Sequence, residues 1–325
     1  MCTAITFRSK DCYFGRNLDL EHSYGECVIV TPRDFPLPFR MLPPRAAHHA
    51  MIGIGLVRGN YPLYFDAVNE KGLAMAGLNF PGNARYHSPH PDKDNVASFE
   101  LIPWVLSQCS TLSQARELLQ RLNLTDTDFS PSFPHTPLHW IIADRHTCFV
   151  AEPTADGLRL YDNPAGVLTN EPPFPAQLHR LSDYLHLSAT PPVNRFAPHL
   201  PLTPYSRGMG GLGLPGDWSS PSRFVRTAFA VHNSPSPIDA THFFHLMSCV
   251  EVPRGSVRLE NGHEVISIYT SCCDLERGIY HYVTYENRQI CAIDLHRSDL
   301  DGDSLHSYAL ITRQQIKMQN EKAGT

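Results

Sequence analysis

Residues 1–7 are MCTAITF, which puts a cysteine directly behind the initiator methionine, in a stretch rich in threonine and isoleucine. Such residues favour extended backbone, so a strand is predicted over 2–8. After a polar turn at 9–11, the segment CYFGRNLDL (12–20) predicts its hairpin partner. The fold is therefore expected to begin with a β-hairpin that carries the start of the chain.

The same pattern continues through the first eighty residues. Short segments of β-branched, aromatic and alternating apolar residues are separated by turns that contain glycine, proline or asparagine. Further strands are predicted at 26–33, 51–57, 63–68 and 72–80. Most of the turns between them are short, which indicates an antiparallel sheet.

The hydrophobic period changes after position 98. Helices are predicted at 99–109, 112–122, 177–187, 222–234 and 239–250, and strands at 137–144, 148–153, 158–162, 265–274, 279–286 and 289–295. In the second helix Thr111 and Gln114 predict a capping box, and Leu122 is expected to end the apolar face. The proline-rich stretch 191–204 predicts an extended connection.

This order of strands and helices predicts an α+β fold in which helices pack on stacked sheets. No internal repeat and no linker interrupts the 325 residues. Residues 1–325 are therefore predicted to form a single domain, with a polar tail after about residue 313 that frays from it.

Composition argues against several classes of protein. The net charge is −5 and the 27 Lys and Arg are scattered, so no basic stripe suggests nucleic acid. No apolar run has the length of a membrane span, and no secretory signal opens the chain. Nine cysteines without a CxxC pair are typical of reduced thiols and predict a cytoplasmic protein. The histidines lack the spacing of metal ligands, so neither a metal nor another cofactor is expected.

Cys2 acquires a particular chemistry if the initiator methionine is removed, which its small side chain favours. The chain then begins with a thiol and a free α-amine on one residue. In small peptides the amine titrates at about 7.7–8.0 and the thiol at about 8.5. The amine can then act as a general base and the thiolate as a nucleophile. A buried strand cysteine with no reactivity is the alternative, and the two letters MC leave it open.

Arg16 and Asp19 follow in the second predicted strand. Strand alternation places Arg16 with Leu18 on one side, and Asn17 with Asp19 on the other. A guanidinium near Cys2 would favour its thiolate, and a carboxylate nearby would orient the new amine. A surface ion pair is the alternative, which the apolar neighbours in the sequence argue against.

Asn79, Asn170 and Arg223 are further candidates. Each asparagine lies where an apolar strand meets a proline-containing loop, and its amide could donate to a developing oxyanion. An ordinary turn asparagine would occupy the same place. Arg223 lies near the start of a predicted helix, where a cation does not favour the helix dipole. Some other contact is therefore expected to hold it.

Longer segments carry a resemblance to a known family. Seven segments follow one another across about residues 2–295: MCTAITF, YFGRNLDLEHSYGE, GNYPLYFDAVNEKGLAMAGLNFPGNA, PLHWIIADR, VLTNEP, GLGLPGDWSSPSRFVR and VTYENRQI. As a set they resemble the conjugated bile salt hydrolases of the choloylglycine hydrolase family, which also contains penicillin V acylases. The resemblance implies an N-terminal-nucleophile hydrolase: an αββα four-layer sandwich of two antiparallel sheets between helical layers. It also implies a homotetramer that needs no cofactor.

The resemblance implies a role for each candidate residue. Cys2 would be the nucleophile, with its own α-amine as the base. Arg16 would lie beside the thiolate, and Asp19 would bind the amine. Asn79 would contribute to the oxyanion hole, and Asn170 would position the amine and the scissile amide.

Arg223 would complete this polar cluster. The implied reaction is hydrolysis of the amide bond of glycine- or taurine-conjugated bile salts. A steroid requires an apolar groove, for which the candidates in the sequence are Tyr24, Phe65, Phe133 and Leu138. Arg207, in a glycine-dense loop, could meet the carboxylate or sulfonate of the conjugate. A solvated loop arginine is the alternative at that position.

Three other functions remain open at this stage. A penicillin V acylase would share the reaction centre, and an acyltransferase would pass the acyl group to an amino acid instead of water. A non-catalytic binder of amphipathic acids would keep Met1 and an inert Cys2.

Overall fold

The computed structural model of the protein describes residues 1–320. Most of its regular structure is extended, as the short alternating segments predict. The strands are β1 (Cys2–Arg8), β2 (Cys12–Leu20), β3 (Cys27–Thr31), β4 (Met51–Arg58), β5 (Tyr61–Asn69), β6 (Ala74–Asn79), β7 (Asp94–Ala97), β8 (Leu122–Thr125), β9 (Leu138–Ala143), β10 (Cys148–Thr154), β11 (Gly157–Asp162), β12 (Val167–Leu168), β13 (Ile266–Asp274), β14 (Ile279–Thr284), β15 (Cys291–Asp294) and β16 (His306–Ala309). The helices are α1 (Leu101–Leu106), α2 (Leu112–Leu119), α3 (Phe174–Arg180), α4 (Ser220–His232) and α5 (Ala240–Ser248).

Two antiparallel sheets contain most of these strands. The six-stranded sheet has the order β12-β1-β2-β13-β14-β15, and the eight-stranded sheet has the order β11-β10-β9-β6-β5-β4-β3-β16. The predicted hairpin of β1 and β2 is present, with Cys2 opposite Leu18. Because β12 and β13 flank this hairpin, the first strand lies inside a sheet and its terminus is held on both sides.

Helices cover the outer face of each sheet. Helix α1 packs on β5 and β6, α4 packs on β1 and β12, and α5 packs on β13 and β2. The order of layers is therefore helix, sheet, sheet, helix, and the predicted αββα sandwich is confirmed. One apolar cluster fills the space between the sheets and under α4 and α5, and a second lies under α1 and α2.

The predicted end of the second helix is wrong. Helix α2 ends at Leu119, and Leu122 instead begins β8, which pairs in parallel with β7. Leu122 still reaches the cluster under α1 and α2, but it does so from a strand. At the start of α2, Thr111 Oγ1 accepts from Gln114 N at 3.3 Å, while Gln114 Oε1 accepts from Ser110 N at 2.7 Å. The Gln114 side chain thus binds the backbone N–H of Ser110, whereas a capping box requires the N–H of Thr111.

Other boundaries differ more modestly from the prediction. The helix predicted at 99–109 is a 3₁₀ turn followed by α1, which ends at Leu106. The helix predicted at 177–187 begins earlier, at Phe174, and continues as a 3₁₀ turn, Leu181–Tyr184. The strands β7, β8, β12 and β16 were not predicted, because two to four residues are too few to show a period.

Two further predictions concern membrane-spanning helices and the C-terminal tail. Within residues 1–320 there is no helix with both the length and the apolar character to cross a membrane. Residues 314–320 are exposed and contain no strand or helix. The last part of the predicted tail, 321–325, lies outside the described residues.

Candidate active site

Cys2 is the first residue of β1, and its side chain is buried between the sheets. Its Sγ accepts a hydrogen bond from Arg16 Nη2 at 2.6 Å. Its backbone N–H donates to Asn170 Oδ1 at 2.9 Å. Both the sulfur and the nitrogen of the predicted nucleophile therefore have partners among the residues that the sequence singled out.

Arg16 is locked in place by the opposite sheet. Its Nη1 donates to the carbonyl oxygens of Gly77 at 2.5 Å and Phe65 at 3.1 Å. The next residue, Asn17, turns the other way and donates to the Met247 carbonyl of α5 at 3.1 Å. This is the alternation that the strand pattern predicts, and it leaves Nη2 of Arg16 free to contact Cys2.

Asp66, on β5, is a buried acid that the sequence reading missed. Its Oδ1 accepts from Tyr269 Oη at 2.7 Å, and its Oδ2 accepts from Ser271 Oγ at 3.1 Å and from Tyr280 Oη. Ser271 Oγ also accepts from the Arg16 backbone N–H at 3.1 Å. The available signal was an aspartate inside an otherwise apolar strand, LYFDAV.

Charges around Arg16 balance its burial. Burial by itself lowers the pKa of Arg16, but electrostatic interaction with the acidic groups around it, Cys2, Tyr269 and Asp66 foremost, raises that pKa above its usual value. Burial raises the pKa of Asp66, and Arg16 opposes that shift. The two groups thus stabilise each other's charge in a space without solvent.

Asp19 lies at the end of β2, fully buried. Its Oδ1 accepts from Ser267 Oγ at 2.6 Å, whereas Oδ2 has no hydrogen-bond partner in the part of the chain described. The terminal amine of Met1 donates to the Asp19 carbonyl at 2.6 Å. Burial raises the pKa of Asp19, and the charge of Arg223 opposes this. One carboxylate oxygen close to the chain terminus therefore lacks a donor.

Arg223, in the first turn of α4, reaches across to β1. Its Nη1 donates to Thr3 Oγ1 at 2.5 Å and to the Cys2 carbonyl, and its Nη2 donates to Asn170 Oδ1 at 2.8 Å. These bonds supply the contact that its unfavourable position on the helix dipole led us to expect. Burial lowers the pKa of Arg223, and the charge of Asp19 opposes the shift.

Asn79 and Asn170 lie side by side. Asn79 is the half-buried last residue of β6, and its carbonyl accepts from Asn170 Nδ2 at 2.7 Å. Within residues 1–320 the side-chain amide of Asn79 makes no hydrogen bond to protein. The structure therefore brings five predicted residues around Cys2 and leaves one amide available.

The predicted pocket residues are only partly grouped. Phe65 and Phe133 join one aromatic cluster beside the β4–β5 hairpin. Arg58, which the sequence reading missed, places its guanidinium 5.4 Å from the centre of the Phe133 ring. Its Nη2 donates to the Tyr24 carbonyl at 3.1 Å. Arg58 thus connects three of the loops at this end of the sandwich.

Leu138 and Arg207 lie apart from that cluster. Leu138 pairs with Asn79 across β9 and β6, next to the reaction centre. Arg207 is exposed, and its hydrogen bonding within residues 1–320 is limited to its carbonyl, which accepts from Ser206 Oγ. The structure therefore does not bring Arg207 to the other predicted site residues.

A cavity of about 790 Å³ opens beside the loop after β2. Arg58, Arg254, Ile266 and Ile268 are among the residues that line it. Neither Cys2 nor any of the five predicted pocket residues contributes to its lining. Among the described residues, no three His, Cys, Asp or Glu side chains are grouped so that they could hold a metal ion.

A buried cysteine at the head of an inner strand, in an αββα sandwich, defines the class of N-terminal-nucleophile hydrolases. Residues 2–308 match the linear amide C–N hydrolases of the choloylglycine hydrolase family. The chain belongs to this family.

Individual relatives agree with the family match. A bile salt hydrolase/transferase from Lactiplantibacillus plantarum is 48% identical over 314 residues, covering 95% of this chain and 97% of its own. The crystal structure of a mutant conjugated bile acid hydrolase from Clostridium perfringens has a TM-score of 0.93 at 36% identity, covering 98% of this chain and all of that one. A penicillin V acylase from Agrobacterium tumefaciens has a TM-score of 0.75 at 17% identity, covering 94% and 90%, and so shares the fold.

Proposed function

We propose that this protein hydrolyses the amide bond of glycine- or taurine-conjugated bile salts, with Cys2 as the nucleophile once Met1 has been removed. The observation that carries the proposal is the 2.6 Å contact between Arg16 Nη2 and Cys2 Sγ. A guanidinium beside a sulfur stabilises the negative charge on the attacking thiolate. The bile salt substrate is inferred from the relatives, which include a bile salt hydrolase/transferase and a conjugated bile acid hydrolase.

The α-amine of Cys2 would be the base. Its nitrogen already lies 2.9 Å from Asn170 Oδ1 as a peptide N–H. Removal of Met1 would give this nitrogen further donors, and Asp19 Oδ2 is a buried acceptor without a partner in residues 1–320. An ammonium held between Asn170 and Asp19 would have a fixed orientation towards the reacting atoms.

The reaction would proceed through a thioester. The Cys2 thiolate attacks the amide carbonyl, and the free amide of Asn79 donates to the oxyanion, a contact worth about 3 kcal/mol. The Cys2 ammonium then protonates the leaving nitrogen, which releases glycine or taurine. Water that has lost a proton to the same amine attacks the thioester and frees the bile acid.

The steroid would lie against the aromatic cluster of the β4–β5 hairpin, with Phe65 and Phe133 as apolar contacts. Leu138, opposite Asn79, would contact the acyl chain near the scissile bond. Tyr24, which is 43% exposed, would border the entrance. Arg207 would bind the anionic end of the conjugate if its exposed loop folds over the site.

Acyl transfer is a second candidate function. The relative with 48% identity is named a hydrolase/transferase. An amino acid that reached the thioester before water would give a new conjugate by the same steps in reverse. The two outcomes use one reaction centre and differ only in the nucleophile that clears the thioester.

The test compares the native protein with Cys2→Ala and Cys2→Ser. Glycocholate, taurocholate and penicillin V are assayed side by side, with and without added amino acids. We expect bile salt turnover by the native protein, loss of one methionine in its intact mass, and near-complete loss of turnover in both variants. Retained hydrolysis in Cys2→Ala, or an active protein that still carries Met1, would contradict the proposal.

We also propose that the chain assembles as a homotetramer. The segment 185–212 exposes several large apolar side chains, namely Leu185, Val193, Phe196, Leu202, Tyr205 and Leu212. Exposed apolar side chains concentrated in one segment are typical of an interaction surface. Light scattering of the native protein would show a monomer mass if this is wrong.

We propose a cytoplasmic location on the basis of the cysteines. All nine are free thiols, seven of them buried, which fits a reducing compartment. Fractionation of the producing cells measures this directly, and activity found only outside the cells would contradict it.

A further inference from the structure

His139 and Glu152 form a pair of ionisable groups with no solvent exposure, on the face of the eight-stranded sheet that meets the other sheet. His139 Nδ1 lies 3.0 Å from Glu152 Oε1. His139 Nε2 lies 2.8 Å from the carbonyl oxygen of Thr169. Both ring nitrogens therefore face oxygen atoms, although neither residue touches Cys2.

The hydrogen bonds define where the protons lie. A carbonyl oxygen can only accept, so His139 Nε2 carries a proton and donates it to Thr169. A second proton must lie between Nδ1 and the carboxylate, since two lone pairs at 3.0 Å would repel. Both ring nitrogens are thus engaged in hydrogen bonds on opposite sides, and the ring cannot rotate without losing both bonds.

Each contact of this ring lies next to a residue of the reaction centre. Phe80, which follows Asn79 directly, stacks on the His139 ring with centroids 4.3 Å apart and planes 6° from parallel. Thr169, which accepts from Nε2, directly precedes Asn170. One rigid ring therefore contacts both of the loops that carry the two asparagines.

Glu152 extends the same support. Its Oε1 also accepts from the backbone N–H of Phe174 at 2.9 Å, at the start of α3. The loop between Thr169 and Phe174 is thus held at both ends by the pair. The direct bond from Asn170 Nδ2 to the Asn79 carbonyl also keeps the two loops in contact.

We propose that His139, oriented by Glu152, is a positioning residue that fixes the distance between the Asn79 and Asn170 amides and so places the oxyanion donor relative to the nucleophile. The inference rests on the proposed function, because it assigns the pair a role in amide hydrolysis. It does not make either residue a catalytic group.

The cost of the pair supports this role. Two ionisable groups lie in a fully buried position, and Glu152 Oε2 has no hydrogen-bond partner in residues 1–320. Well-packed apolar residues in place of a buried ion pair are often as stable or more stable. Stability alone therefore does not account for the pair, whereas a requirement for a ring held rigidly on both sides does.

The test is the double variant His139→Phe with Glu152→Gln. Phenylalanine keeps the stack on Phe80, and glutamine keeps an acceptor for Phe174, so no charge is left buried alone. We expect kcat for glycocholate to fall about 10- to 100-fold with KM changed less than about threefold, because small misplacements of reacting groups have effects of this size. Alkylation of Cys2 by iodoacetamide, followed on the N-terminal peptide, should keep its native rate.

A matched control is His48→Phe. The His48 ring also lies between two oxygen acceptors, the carbonyls of Phe35 and His49, but it lies near the start of β4, at the other end of the sandwich. We expect native kcat in this variant. A double variant with native kcat would overturn the inference while leaving the proposed function intact, and absence of turnover in the native protein would instead refute the function.

A second variant covers the case in which the double variant does not fold. Phe80→Leu leaves the contact between His139 and Glu152 in place and removes only the ring stack beside Asn79. We expect a fall in kcat of about 3- to 10-fold at unchanged KM, a smaller effect because Thr169 remains bound. Native kcat in a folded Phe80→Leu protein would also overturn the inference.

Discussion

The two faces of the eight-stranded sheet differ sharply in chemistry. The outer face packs Met75, Trp140 and Ile142 against the helices α1 and α2 in an apolar cluster. The inner face carries the buried ionisable groups Asp66 and His139 among its apolar residues. Neighbouring residues of one strand thus serve different purposes, since strand alternation sends them to opposite faces.

This difference shows that the free-energy penalty of burying ionisable groups falls on the inner face of the sheet. A buried polar group destabilises the fold unless it is hydrogen-bonded, and a buried charge does so unless it is also paired. On the inner face these groups are paired, and they converge on Cys2 through Arg16 and through the loops of Asn79 and Asn170. The outer face of the eight-stranded sheet therefore contributes mainly to the stability of the fold. The inner face contributes groups that position the residues around Cys2.

Among the variants that keep Cys2, the largest effect on activity is expected for Arg16→Lys. A lysine cannot donate to Gly77, Phe65 and Cys2 together, because it lacks the planar fork of arginine. We expect kcat/KM for glycocholate to fall at least about 100-fold, comparable to the loss of one preorganised donor. Arg226→Lys is the matched control, since Arg226 also binds backbone carbonyls but lies away from Cys2. Equal activity of the two variants would contradict the role assigned to Arg16 beside Cys2.

Leu106→Ala, on the outer side of the eight-stranded sheet, is expected to lower stability and leave activity unchanged. Leu106 is fully buried at the end of α1. We expect the free energy of unfolding to fall by about 2–5 kcal/mol, because the truncation leaves a cavity in the cluster. Activity per folded molecule should stay at the native value, as urea titration combined with active-site labelling would measure. A loss of kcat in the folded fraction would show that the outer face also shapes the site.

Asp66→Asn is expected to have a smaller effect than Leu106→Ala, seen as a change in how Tm depends on pH. Burial raises the pKa of Asp66, while Arg16 opposes the shift. A carboxyl group with a raised pKa stabilises the fold most below its unfolded pKa of about 4, and this contribution is lost as the pH rises through the folded value. The difference in Tm between the native protein and Asp66→Asn should therefore shift in favour of the native protein as the pH falls.

Glu70→Gln is the control of opposite sign. Burial acts to raise the pKa of Glu70, but the hydrogen bonds from Arg33 lower it overall. Its stabilising contribution is present above the unfolded pKa and is lost as the pH falls. If both variants show the same slope of Tm difference against pH, the assignment of Asp66 as a carboxyl group whose pKa is raised by burial is wrong.

Much of the fold could be predicted because its signals are local. Alternating apolar residues and turn residues located the first six strands, and the period of 3.6 located α4 and α5. The end of α2 was missed because Leu122 satisfies the apolar pattern of a helix and of a strand equally well. Only the pairing of β8 with β7, a contact distant in sequence, decides between them.

The candidate site likewise contains residues that local sequence revealed and one residue, Asp66, that it did not. Cys2, Arg16, Asn79 and Asn170 were candidates from their local sequence, and the resemblance implied a role for each of them. Asp66 was overlooked, because an aspartate in a strand gives no sign of which partners it will meet. Its hydroxyl donors come from Tyr269 and Tyr280, which are more than two hundred residues away in the chain.

The sequence by itself determined most of the longer elements, the alternation of β2 and the position of a cysteine that methionine removal would expose, because these depend on neighbouring residues. The tertiary structure alone decided that Arg16 contacts the sulfur and that Arg223 reaches the first strand. It also decided that one histidine ring contacts both asparagine loops. Such contacts join segments from both sheets and a helix, and the packing of those layers, which no local pattern encodes, sets their distances.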